Sequence, residues 1–355
     1  MQKKKQNRLN NRPNDIFYER KKKLILIFLF FILLISIAVA LTQGVLSISS
    51  PDVFKTLITH LNPFDGNIQI NRLWDTVIWE IRLPRIILAV FVGIALAIAG
   101  AVYQGCFRNP LVEPYILGVE SGAAFGAALA IVIPTFFLSL QLSAFIFGIL
   151  AVFGAYFLAR IRGETPVVTL ILSGVIIGSI FSALVSILQY ISTDAALRQI
   201  VFWLMGGFYY TTWEDVFYII PVVLICFFAI WILSWKLNVL SMGDDEAKTL
   251  GVNPERFKAI FIILATLATA MCVSAVGVIA WVGLMMPHAA RMILGPDHRY
   301  MLPAAAFLGA IYLVICDTLA RSLTTSEIPV GIITSLLGAP YLIYLIRRKG
   351  TGSFG

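Results

Sequence analysis

The residues able to do chemistry in this 355-residue chain are few, and their types favour recognition over bond-breaking. Its three histidines are scattered: His60 by itself, His288 and His298 around a helix break. There is no His-Glu-x-x-His, no paired-cysteine motif, no Gly-x-Ser-x-Gly and no Gly-x-x-x-x-Gly-Lys-Ser/Thr. Metal-assisted hydrolysis, a serine nucleophile elbow and a phosphate-binding loop therefore have no local signature, and no catalytic residue or metal ligand is assigned. The four cysteines, Cys106, Cys226, Cys272 and Cys316, stand singly in or beside apolar segments and read as packing residues. Charge is what stands out. Arg82, Arg85 and Arg321 each sit at the end of an apolar run, and Asp317 is the clear carboxylate inside one, four residues before Arg321. That spacing makes a helical i,i+4 pair. A second charged constellation is Gly243-Asp244-Asp245-Glu246-Ala247-Lys248. Three acids suit the first turn of a short helix, which Gly251 would stop before Asn253-Pro254-Glu255 starts the next. Both sets have plain readings, interfacial snorkelling for the arginines and a solvated loop for the acids. Their functional readings are an acidic docking partner for the arginines and a lever that a second protein pushes for Leu240–Phe257.

Positioning these groups falls to apolar helices. Hydrophobic residues make up 59% and charged residues 13% of the chain, against about 45–50% and 25% in soluble domains. The central stretch is Arg82–Ala128. Ile86–Phe107 carries no charge and is long enough to span a bilayer. Arg108-Asn109-Pro110 breaks it, and a second apolar segment follows Pro114. Gly118, Gly122 and Gly126 recur at every fourth residue there, as Gly174, Gly178 and Ser182 do within Val167–Ile191. With Gly93 and Gly100, these glycines are expected to let helix backbones approach closely in lipid. The remaining crossings are Leu24–Leu46, the run from Pro134 to Tyr156, Val216–Trp235, Ala259–Ala280, Trp281–Leu294, Leu302–Ala320 and Pro329–Ile346. Residues 47–81 read as an external loop with a surface helix near Ile70–Trp79, and Ile200–Tyr210 as a short interfacial or re-entrant piece.

The result is an all-α polytopic bundle of about ten transmembrane helices with both termini on one face. Residues 1–23 form a basic tail, 24–346 a single membrane domain and 347–355 a second tail. With the tails and the loops at 105–113, 160–166, 236–258 and 291–299 placed inside, 21 of the 27 Lys and Arg are cytoplasmic. Lys55, Arg72, Arg82, Arg85, Arg198 and Arg321 remain outside, the asymmetry of a positive-inside protein. The net charge of +8 is thereby assigned to membrane orientation, and no nucleic-acid partner is expected. A self-sufficient carrier driven by protons or sodium is the competing class, disfavoured by scarce carboxylates in mid-membrane. An intramembrane enzyme lacks any catalytic cluster.

On these residues the chain resembles the FecCD-type permeases, the membrane subunits of importers for iron-siderophores, haem and vitamin B12. The resemblance lies in Arg82-Leu83-Pro84-Arg85, Gly100-Ala101-x-x-Gln104, Asn109-Pro110-Leu111 and Leu117-Gly118-x-x-x-Gly122-Ala123. It continues through Gly243-x-x-x-Ala247-x-x-Leu250-Gly251, Gly283-Leu284-x-x-Pro287-His288-x-x-Arg291, Asp297-His298-Arg299, Pro329-Val330-Gly331 and Gly338-Ala339-Pro340. It implies the type II ABC importer permease architecture and a second permease subunit, identical or paralogous, with the path between them. It also implies two cytoplasmic ATP-binding subunits carrying ATP and magnesium, no cofactor on this chain, and one external substrate-binding protein. By resemblance, residues 240–258, and in them Gly243, Asp244, Asp245, Glu246, Ala247, Leu250 and Gly251, form the element that couples to the ATPase. Arg82, Arg85 and Arg321 are the docking positions. Gln104, Ser121, Gln189 and Met286 are loose candidates for the path lining. The implied cargo is a ferric chelate (siderophore or haem), with cobalamin as the alternative.

Overall fold

The computed structural model describes residues 12–61, 71–324 and 326–349. Among them there are helices and no strand, only an isolated bridge between Ile161 and Glu164. Helix α1 is Arg12–Thr42, α2 Ser50–Leu61 and α3 Arg72–Asp75; a π-helical stretch, Thr76–Arg82, then leads straight into α4, Leu83–Phe107. A 3-10 turn, Pro114–Leu117, precedes α5, Val119–Val132. The set continues with α6 Leu140–Ala159, α7 Val167–Ile191, α8 Asp194–Met205 and α9 Trp213–Ile232. Short helices α10, Ser234–Leu240, and α11, Asp244–Thr249, lead to α12 Pro254–Val276, α13 Val282–Leu294, α14 His298–Ala320 and α15 Val330–Lys349. Among the described residues seven helices are long and apolar enough to cross a membrane, and Val119–Val132, Val282–Leu294 and Val330–Ile343 are shorter apolar helices.

Several boundaries move from their expected places. Helix α1 begins at Arg12, so Arg20–Lys23 continue the same helix as the apolar stretch, and it ends at Thr42, short of Leu46. Lysine and arginine are good helix formers and keep the α-helix going through the basic run. The region 47–81 is more structured than a loop: α2 occupies Ser50–Leu61, and the helix containing α4 starts at Arg72. Residues 62–70 lie outside the described set. Ile200–Tyr210 contributes the end of α8, a helix too short to span, with Gly206 at its C-cap.

The bundle is built around α4, the most buried of its long helices. Its glycines are contact points between backbones: a Cβ on Gly93 would collide with the Gly309 backbone, and one on Gly100 with the Gly283 backbone. α14 and α13 thus lie directly against α4 where van der Waals contact replaces the missing side chains. The α5 glycines divide between two neighbours. Gly122 and Gly126 touch the backbone of α6 at Phe147 and Ser143. Gly118 is the left-handed N-cap of α5, outside its regular turns, and faces Gly174 and Gly178 of α7. One glycine face becomes two because Gly118 leaves the helical register.

The segment between α12 and α13 is a break in a membrane-depth helix. Gly277 (φ +71°) ends α12, and Val278 and Ile279 run on in non-helical conformation, buried. Such backbone is tolerated inside a membrane protein where protein covers it. The Tyr115 hydroxyl donates to Ile279 O at 2.8 Å, and Gly207 N–H donates to Val276 O at 2.8 Å. The four cysteines are free and buried.

Candidate functional site

Two polar constellations lie at opposite ends of α4, separated by its 25 residues, or about 37 Å of helix rise. At the end where α4 begins, Arg82, Arg85 and Arg321 converge. None is presented to the surroundings: they are 5%, 4% and 5% exposed. The Arg85 Nε donates to Asp317 Oδ1 at 2.8 Å, and its Nη1 to Glu327 Oε2 at 2.7 Å. Asp317, 1% exposed, also faces Arg321 Nε at 3.4 Å, the pair expected from the four-residue spacing. The remaining guanidinium donors cap the C-terminal end of α1. Arg82 donates to Leu41 O (2.6 Å) and Leu46 O, and Arg321 to Gln43 O (2.6 Å) and Ala40 O. Ala40 O and Leu41 O are carbonyls that the end of α1 leaves unpaired, where cations are favoured, and Gln43 O and Leu46 O lie just beyond it. The three arginines expected as docking positions are thus buried in this fold. They are folded inward because α1 and the segment after α14 close over them.

At the far end of α4 stands the second constellation. Arg108 ends α4 in left-handed conformation (φ 52°). The expected pair of short helices is present: α11 with Asp244, Asp245 and Glu246 in its first turn, Gly251 at φ +75°, then α12 capped by Asn253, whose Oδ1 accepts from Arg256 N–H at 3.1 Å. Gly243 (φ +144°) holds a backbone conformation that side-chain-bearing residues rarely adopt, with the Glu246 carboxylate against it. Ala247 is buried under α11, while Leu250 is 57% exposed. Lys258, one turn into α12 and 1% exposed, reaches back to Asp244 Oδ2 at 2.6 Å. A buried ammonium thus locks α11 onto a long span. Lys248 approaches Glu164 of the α6–α7 loop at 3.6 Å. Nearby, partial burial pushes the Asp297 carboxyl up, but hydrogen bonds from Arg299 and Asn238 outweigh it and hold it at about 2.

The four path candidates do not gather. Gln104, 3% exposed, is a staple: its Nε2 donates to Leu284 O at 3.2 Å and its Oε1 accepts from Arg291 at 3.2 Å, tying α4 to α13. Met286 is buried in α13. Ser121 accepts from Ser182 Oγ at 3.2 Å where α5 meets α7, and Gln189 lies near the other end of α7. What α7 does offer is a long uncovered face. Val168, Leu172, Val175, Ile176, Ile180, Ile187 and Tyr190 are exposed, interleaved with Ser179, Ser182 and Ser186. Sequence reading also passed over Glu120, half-buried in the first turn of α5. An acid at a helix N-terminus was the available signal.

This geometry has known counterparts. A 44% identical relative over 276 residues is the cobalamin import permease BtuC of Halobacterium salinarum, covering 78% of this chain and 74% of that one. The molybdate import permease MolB of Haemophilus influenzae is 40% identical over 323 residues, covering 89% and 94%. A solved metal-chelate type ABC transporter in an inward-facing conformation superposes with a TM-score of 0.82 at 39% identity, covering 92% of this chain and 99% of that one. The model of the FecCD transport family matches residues 32–348. With that match running from within α1 to the last turn of α15, the chain belongs to the FecCD transport family.

Proposed function

We propose that this permease is worked from the α11 end by a cytoplasmic ATP-binding subunit and supplied from the Arg85 end by an external substrate-binding protein. The observation that carries the reading is α11, a short acidic helix held between spans, locked to α12 by Lys258 and offering Leu250 outward. An element so fixed transmits a push instead of absorbing it. ATP and magnesium belong on the partner ATPase, two copies of which serve two permease subunits. Both termini then lie in the cytoplasm, as the distribution of Lys and Arg favours. The uncovered faces of α7 and α15, where Leu336 and Ile343 are exposed, suit a second permease subunit. The serines of α7 would line the path between the two. Their hydroxyls are largely spent on their own helix, with Ser179 donating to Val175 O and Ser186 to Ser182 O, so cargo is held weakly.

The inward arginines act for the binding protein through the loops they hold in shape. A ferric chelate, siderophore or haem, is the proposed cargo, and cobalamin is the alternative that the Halobacterium relative supports. The test is copurification of the chain with its ATPase subunit and binding protein in detergent. Leu250→Asp is expected to lose the ATPase while Arg85→Glu loses the binding protein. Retention of both partners by both variants contradicts the assignment of the two ends.

A further inference from the structure

Beside the start of α11, a cavity of about 590 Å³ is lined by the end of α4 and the turn after it, by α10 and by the end of α13. Its wall carries two guanidiniums from different helices, Arg108 at the C-cap of α4 and Arg291 in the last turn of α13. The Arg108 side chain is exposed and makes no ion pair or hydrogen bond among the described residues. Arg291 spends one nitrogen on Gln104 Oε1 at 3.2 Å; its other donors are unpaired among the described residues and open to water. Arg108 also stands where its residue type is unfavourable. Its φ of 52° is left-handed, a cap conformation that glycine or asparagine usually takes. Keeping an arginine there calls for a task that glycine cannot perform. Opposing charge in the wall is already committed. Asp297 accepts from Arg299 Nη2 at 2.7 Å and from Asn238 Nδ2 at 2.8 Å, and Glu246 forms no ion pair with Arg108. Carbonyls at the surrounding helix ends are likewise taken: Gln104 O accepts from Asn109 N–H at 3.2 Å, Leu237 O from Ser241 N–H at 3.0 Å and Arg291 O from Gly295 N–H at 2.9 Å.

The chemistry of the wall defines its ligand. A guanidinium only donates, through a planar fork that matches the oxygens of a phosphate. Two such groups in one wall call for a ligand with negative charge and several acceptor oxygens. The volume is that of a small-molecule site, larger than a bare oxyanion fills. Met242, 62% exposed, joins Pro110 and Pro296 in giving the cavity apolar surface. We infer that this cavity binds the phosphate group of a larger anionic molecule, a soluble phosphoester or a phospholipid headgroup, through Arg108 and Arg291. Arg108 Nη1 stands 3.5 Å from where a Cβ on Gly243 would lie, so a bound phosphate braces the start of α11 against α13. That consequence for coupling, unlike the binding itself, rests on the importer reading.

The test uses the full chain in nanodiscs and has two arms. In phosphatidylcholine nanodiscs, radioactive glycerophosphate is titrated against empty discs; saturable binding assigns a soluble ligand. In nanodiscs of mixed phosphatidylcholine and phosphatidylglycerol, native mass spectrometry counts retained lipid; retention of phosphatidylglycerol over phosphatidylcholine assigns the headgroup. In whichever arm binds, Arg108→Gly should weaken binding about tenfold or more, the loss of a charge-assisted hydrogen bond. The thermal midpoint of that variant should hold or rise, because glycine suits the left-handed cap, which separates a lost ligand contact from a damaged fold. Arg291→Lys keeps the charge but not the fork and should weaken binding severalfold. Absence of binding in both arms, or binding that both variants leave unchanged, overturns the site. If the wild type binds neither ligand while Arg108→Gly loses the ATPase subunit in copurification, the cavity belongs to an acidic side chain of that subunit and the proposal falls. ATP-dependent uptake by the assembled complex is measured separately, so a failed site with intact uptake leaves the importer reading standing.

Discussion

Asp317 stands between two guanidiniums with 1% of its surface exposed, and the consequences of removing it are sharp. Taking away one partner of a buried ion pair leaves uncompensated charge, a loss of about 3–5 kcal/mol. Asp317→Ala is accordingly expected to lower the thermal midpoint in detergent strongly. Replacing Asp317 and Arg321 together by apolar residues of similar volume should recover part of that loss, because no lone buried carboxylate or guanidinium of that pair remains. Equal midpoints for the single variant and the wild type would show that the cluster does not hold the fold. At the other end, Lys258→Met should be better tolerated than Asp244→Ala. The methionine fills the buried space of Lys258, whereas the alanine leaves its ammonium only the more distant Glu255 at 3.8 Å, and comparative unfolding checks the order. At this scale the sequence was only partly readable. The i,i+4 relation of Asp317 and Arg321 is visible in the chain because it is local. The pairing of Arg85 with Glu327, 242 residues away, and the capping of α1 by Arg82 and Arg321 depend on how helices assemble. Arginines that look like a free basic surface in the sequence are therefore buried.

Among the elements, the glycines of α4 make the strictest demand. A Cβ on Gly100 would overlap the Gly283 carbonyl, which belongs to backbone and cannot swing away. Gly100→Ala must push α13 off α4 and, with it, the Gln104 staple. Overpacking of this kind costs about 1–3 kcal/mol or more, so a lower yield of folded protein and a lower midpoint are expected. By contrast, Gly154→Ala meets only ordinary contact with Ile177 and should be nearly silent; similar effects at both positions would deny α4 its central place. Periodicity revealed most helices here, and the Gly251 and Asn253-Pro254 signals revealed α11 and the start of α12, because caps and stops are local. The break at Gly277 was only half legible. An apolar run reads the same whether it is helical or extended once tertiary contacts, such as Tyr115 on Ile279 O, satisfy its backbone.

For the molecule as a whole we propose separated tasks: force received at the α11 end, cargo delivered at the Arg85 end, and α7 between them facing a second subunit. Cysteines introduced near Thr351 and at Lys55 should respond oppositely to a membrane-impermeant thiol reagent in intact cells, with Lys55→Cys modified and Thr351→Cys protected. The reverse pattern would invert the assignment of the two ends. Composition made the membrane class readable, since it is a sum over the whole chain, and the orientation expected from charge placement is what this labelling tests. Cargo was not readable, because no cluster of chemistry-bearing residues in the chain marks a substrate. The central claim is that this chain is a gate with no energy source of its own. Uptake of labelled ferric chelate into proteoliposomes tests it most directly, comparing the chain alone with the chain plus its ATPase and binding protein. The account predicts no accumulation by the chain alone under a proton or sodium gradient, and ATP-dependent accumulation by the complete assembly. Accumulation by the chain alone would contradict it.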